Sequence, residues 1–77
     1  MVNVLFFAHL KDVVGKEEVS VEGNEWNVAR LKEKIAADYG LEGLESVMTA
    51  VNEEFADDET ILSEGDTIAF IPPVSGG

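Results

Sequence analysis

The sequence contains no cysteine, one histidine, and two prolines that stand side by side at 72 and 73. Without cysteine there is no disulfide framework, no thiolate nucleophile, no zinc–thiolate site and no redox pair. His9 has no second histidine to share a metal, so it is expected to be a surface residue and no metal site is expected. Bases are scarce as well: five stand against sixteen acids, for a net charge of −11. The bases are Lys11, Lys16, Arg30, Lys32 and Lys34, and from Tyr39 onward the chain carries acids and no base at all. Nucleic-acid binding draws on lysine and arginine to displace phosphate counterions, so neither nucleic acid nor an anionic membrane is an expected partner. No apolar run is long enough to span a bilayer. The first ten residues lack the basic flank and cleavage pattern of a signal peptide, so a soluble, cytoplasmic protein is expected.

What is present suffices for one small domain. The chain has 77 residues and is 45% hydrophobic, which supports a core but leaves no room for a second domain. Val2, Val4, Phe6 and Ala8 share one parity, and Leu5 and Phe7 make the other parity apolar too, as in a strand near the centre of a sheet. Glu17–Glu22 alternates, with Val19 and Val21 facing inward, and a turn around Val14-Gly15-Lys16 joins the two strands. Val28, Leu31, Ile35 and Tyr39 mark one face of a helix, with Asn27 as N-cap, Gly40 as C-cap, and Trp26 placed to pack on Leu31. Leu41–Leu44 reads as an irregular link or a short helical turn. Val47–Val51 is a third strand, Asn52-Glu53-Glu54 a tight turn and Phe55-Ala56 a short return strand. Asp57-Asp58-Glu59 reads as solvated loop, without the spacing of a calcium loop. Ile61 and Leu62 are apolar anchors, and Ser63–Asp66 turns into a last strand, Thr67–Ile71.

Strand, strand, helix, strand, short strand, strand predicts an α+β fold of the β-grasp, ubiquitin-like type. Its mixed sheet has four to five strands, with one main helix on one face and the first and last strands adjacent at the centre. Residues 1–71 form this domain and residues 72–77 a flexible tail. One helix covers one sheet face. Val2, Val4, Phe6, Val19, Val21, Ile68 and Phe70 are assigned to it, against Val28, Leu31 and Ile35. The opposite parity leaves Leu5, Phe7, Ala69 and Ile71, with Phe55 nearby, as an apolar patch of the kind that docks a partner protein.

After Ile71 come Pro72, Pro73, Val74, Ser75, Gly76 and Gly77. The prolines favour a stiff, extended exit, and six residues reach roughly 20 Å. A stiff base with a thin tip suits insertion into a narrow cleft. The chemical group at the tip is the Gly77 α-carboxylate, whose carbonyl glycine leaves open to attack. Ser75 has no base beside it in sequence, and no phosphate-cradling loop is present. The chain on its own therefore reads as no enzyme, with no bound cofactor.

These stretches carry a resemblance. Val4-Leu5-Phe6-Phe7-Ala8, Ala50-Val51-Asn52-Glu53, and Asp66–Phe70 leading into Pro72-Pro73-Val74-Ser75-Gly76-Gly77 resemble the sulfur-carrier small subunits of molybdopterin synthase over nearly the whole chain. The resemblance implies that an E1-like adenylating enzyme uses ATP to activate Gly77, which becomes a thiocarboxylate. It implies that Pro72, Pro73, Val74, Ser75 and Gly76 enter the active site of the large synthase subunit, in a heterotetramer. There the sulfur passes to a cyclic pyranopterin phosphate. The family's docking face falls on Phe7, Phe55 and Ile71. Two other functions fit the residues: a sulfur carrier for thiamine or another pathway, with a protein modifier that forms isopeptide bonds through Gly77 as its close variant, and an acidic binding protein that mimics nucleic acid or blocks a basic site.

Overall fold

The computed structural model describes residues 1–72, and of Glu45 the backbone only. Five strands form one sheet: β1 (Val2–Phe6), β2 (Glu18–Val21), β3 (Met48–Val51), β4 (Glu54–Ala56) and β5 (Thr67–Ile71). Their order is β2-β1-β5-β3-β4. β1 and β5 run parallel and side by side, and every other neighbouring pair is antiparallel. This is the mixed β-grasp sheet that the pattern predicts. Pairing Val4 with Ile68 and Phe6 with Phe70 puts the even-numbered residues of both strands on one face. Val2, Val4, Phe6, Ile68 and Phe70 are buried there with Val28, Leu31 and Ile35 of the main helix. Val19 is buried with them and Val21 half-buried.

The main helix, Val28–Tyr39, starts where its free N–H groups find acceptors. Val28 N–H donates to the Thr60 carbonyl and Ala29 N–H to the Asp58 carbonyl, both at 3.0 Å. Arg30 N–H donates to Asn27 Oδ1 at 2.8 Å, so the expected N-cap is in place. Gly40 closes the other end in a left-handed conformation, φ 65°. The acidic loop before Thr60 is thus not merely solvated. Asp58 also holds Lys32 Nζ at 2.9 Å, and Asp57 Oδ1 accepts from Glu59 N–H and the Thr60 hydroxyl. Trp26 carries the Arg30 guanidinium 4.1 Å from its ring centroid, so its aromatic face takes a cation.

Two local expectations are corrected. Between β1 and β2 the chain forms a short helix, His9–Val14, ahead of the Gly15 turn. Ala8, at φ 52° and ψ −133°, ends the strand, and Gly15 at φ 81° ends the helix. Leu10 is the one residue of this helix that the core buries, so the six residues show no readable stripe. Ile61 is 61% exposed while Leu62 is fully buried. The backbone is extended here, bridged to Asn27, and successive side chains point opposite ways. The irregular link after Gly40 resolves into Leu41 and a 3-10 turn, Leu44–Ser46, with Leu41 and Leu44 closing the core.

Gly23 lies where β2 leaves the sheet. A Cβ on it would come 2.9 Å from Val2 Cγ2 and 3.6 Å from Leu31 Cδ1. Val2 is fully buried and cannot step aside. Gly23→Ala is expected to lower stability by about 1–3 kcal/mol, read as a shift in the urea midpoint.

Candidate functional site

The sheet face away from the main helix carries a groove of about 570 Å³. Register explains its shape. Leu5 pairs with Ala69, Ala69 with Ala50, and Ala50 with Phe55, so four neighbouring residues form one row across β1, β5, β3 and β4. The two alanines make a low floor. Leu5 and Phe7 form one wall, and Phe55 rises at the other. Phe7 is 45% exposed and Phe55 73% exposed, far above what core aromatics show. Ile71 lines the groove and is the last residue of β5, so the chain leaves the sheet at the groove itself. The structure therefore brings Phe7, Phe55 and Ile71 together as expected. Of the tail, Pro72 is described; Pro73, Val74, Ser75, Gly76 and Gly77 lie outside the described residues.

Sequence reasoning missed the residues at the β3–β4 end of the groove, Ala50, Asn52, Glu53 and Thr67. For Ala50 the turn is the reason: a turn over Asn52-Glu53-Glu54 sets Val51 opposite Phe55, whereas Glu54 belongs to β4 and pairs with Val51, which leaves Ala50 opposite Phe55. A two-residue turn at Asn52-Glu53 fixes which residue of β3 opposes Phe55. Asn52 is held on several sides. Its N–H donates to the Thr67 carbonyl at 2.8 Å, its Nδ2 donates to Asp66 Oδ1 at 2.9 Å, and Thr67 N–H donates to its Oδ1 at 3.0 Å. Asp66 Oδ2 in turn accepts from Ser63 N–H at 2.8 Å. This network ties the hairpin turn to the start of β5 and so fixes one end of the groove.

At the opposite end a smaller hollow shares Leu5 and Phe7 and adds Lys11 and Glu17. Lys11 Nζ and Glu17 Oε1 are 2.8 Å apart. That hydrogen bond, and then the opposite charge, hold the Glu17 carboxyl below its ordinary range and the Lys11 ammonium above its own. Both groups face water, so the pair fixes orientation more than it stabilises the fold. Among the described residues, no group of acids and histidines is arranged to hold a metal ion, and no helix is long and apolar enough to cross a membrane.

Residues 4–77 match the ThiS family. The chain belongs to that family. The molybdopterin synthase sulfur carrier subunit of Escherichia coli K12 is 36% identical over 81 residues, an alignment that covers all of both chains. The small archaeal modifier protein 1 of Methanosarcina acetivorans shares the fold at TM-score 0.81 and 26% identity, covering 99% of this chain and 95% of that one. A chain in the complex of subunits 1 and 2 of the molybdopterin-converting factor from Helicobacter pylori matches at TM-score 0.71 and 29% identity, covering 99% and 97%. Within the ThiS family, then, this chain is similar over its whole length to sulfur carrier subunits, and it has their ubiquitin-like β-grasp fold.

Proposed function

We propose that this ThiS-family chain is the sulfur-carrier subunit of a molybdopterin synthase. The observation that carries the proposal is the apolar groove from whose edge β5 leads into Pro72 and the Gly-Gly tail. A partner seated on Phe7, Phe55 and Ile71 stands where the tail begins, so docking and delivery of the tail are one event. Full-length similarity to molybdopterin synthase sulfur carrier subunits supports the pathway.

The chemistry follows from the tip. A carboxylate resists nucleophiles because its leaving group is oxide. Attack of the Gly77 carboxylate on the α-phosphorus of ATP, bound by an E1-like partner, releases pyrophosphate and gives an acyl adenylate. A sulfide nucleophile then adds at the Gly77 carbonyl and AMP leaves, which yields the thiocarboxylate. The large subunit receives Pro72–Gly77, and the thiocarboxylate sulfur attacks a carbon of its cyclic pyranopterin phosphate: a C–S bond forms as the C–O bond to one phosphate ester oxygen breaks, and the phosphate stays on the substrate through its other ester. Water at the Gly77 carbonyl then frees the sulfur and restores the carboxylate. This chain supplies docking face, reach and sulfur; catalytic groups and ATP site belong to the partners.

The test is the intact mass of the full chain after incubation with the activating enzyme, ATP and sulfide. The expected result is a gain equal to sulfur replacing oxygen, followed by its loss when the large subunit and the pyranopterin substrate are added. Sulfur loading without transfer to the pterin moves the chain to another pathway, such as thiamine synthesis. No loading overturns the carrier reading.

A further inference from the structure

Among the described residues, Glu53 is the one carboxylate in a groove lined otherwise by apolar side chains, the Asn52 amide and Thr67. It sits beside Phe55 at the rim, exposed, and takes part in none of the ion pairs among the described residues. The base on this face, Lys11, is at the opposite end and already held by Glu17. The backbone at Glu53 is also unusual. Asn52 and Glu53 have φ of 51° and 72°, the left-handed pair of a two-residue hairpin turn. Asparagine accepts that conformation readily, but the second position is one that glycine fills without strain and glutamate does not. The Asn52–Asp66–Thr67 network keeps this strained residue at the rim instead of letting it swing away.

Given the docking role proposed above for the groove, we propose that Glu53 selects the partner by pairing with a lysine or arginine at the rim of the partner's own apolar surface. Docking strips water from the groove. A carboxylate that loses water without gaining a cation weakens the complex, so Glu53 rejects a wholly apolar or acidic surface of the same shape. A partner base at that point turns the same carboxylate into an attraction, which also orients the encounter with this acidic chain. Arginine fits best, because its weakly hydrated planar fork meets a carboxylate with two hydrogen bonds.

The experiment measures binding of the purified cognate large subunit to the full chain at low and high sodium chloride, about 0.05 and 0.5 M. Glu53→Gln keeps size and backbone while removing charge. It is expected to weaken binding about tenfold at low salt and less than about threefold at high salt. Glu53→Gly is expected to lose the same affinity while melting roughly 4 °C higher, since it relieves the turn. Phe7→Asp serves as the control for the groove itself. If Phe7→Asp abolishes binding and Glu53→Gln binds as the parent does, the selectivity proposal fails and the docking face stands. A Glu53→Gln loss that is equal at both salts also overturns it, because the effect is then shape and not charge. A Glu53→Gly chain that melts no higher overturns the claim that strain is retained for the charge. Normal binding by Phe7→Asp overturns the docking face.

Discussion

A Phe7→Asp chain is expected to melt close to the parent protein and to lose at least about a hundredfold in affinity for the large subunit. The two halves of that result come from one observation. Phe7 is a groove wall with 45% of its surface open to water, and its neighbour Phe6 is 2% exposed inside the core. In the free protein an aspartate at 7 projects into solvent, and the backbone hydrogen bond from Leu10 N–H to the Phe7 carbonyl is untouched. In the complex the same aspartate sits on an apolar surface that excludes water, where an unpaired carboxylate costs about 3 kcal/mol or more. Phe6→Asp is the contrasting variant. Its ring lies 6.0 Å from Tyr39 and 6.4 Å from Phe70, so a charge there is expected to unfold the domain. Thermal melting by circular dichroism and titration calorimetry against the large subunit separate the two. Equal loss of fold in both variants is the result that removes Phe7 from the docking face.

The parity of two strands makes this contrast legible in the sequence. Val2, Val4 and Phe6 alternate with Asn3, Leu5 and Phe7, and Ile68 and Phe70 alternate with Ala69 and Ile71. A sheet with one covering helix can bury only one of those sets. Asn27, Gly40 and the apolar repeat of Val28–Tyr39 marked the helix equally well, because capping and periodicity are local. What stayed hidden depended on pairing between distant segments. The alanine floor exists because Ala50 and Ala69 face each other across β3 and β5, and neither residue signals this on its own. His9–Val14 was missed because a single buried leucine makes no period. The role of Asp58 and Thr60 in capping the main helix was missed because it uses backbone carbonyls, whose direction no side-chain pattern reports.

Deleting Gly76 and Gly77 is expected to leave docking nearly unchanged while reducing sulfur transfer by at least about a thousandfold. The groove belongs to β1, β3, β4 and β5, all of which end by Ile71. The shortened chain still ends in a carboxylate, now on Ser75, so the deletion does not remove the chemical group. It withdraws that group by about 7 Å of extended chain. Reacting atoms have to approach to about 3–3.5 Å, and a misplacement of 1 Å alone can cost about a hundredfold. The Ser75 side chain also thickens a tip that two glycines keep thin. Gly77→Ala separates these causes, since it keeps length and adds one methyl group. Full transfer by Gly77→Ala with none by the deletion assigns the loss to reach; loss in both assigns it to the width of the partner's cleft. Undiminished activity of the deleted chain in the cell removes the tail from the mechanism. It leaves the acidic surface, −11 overall and without a base after Lys34, as the functional element.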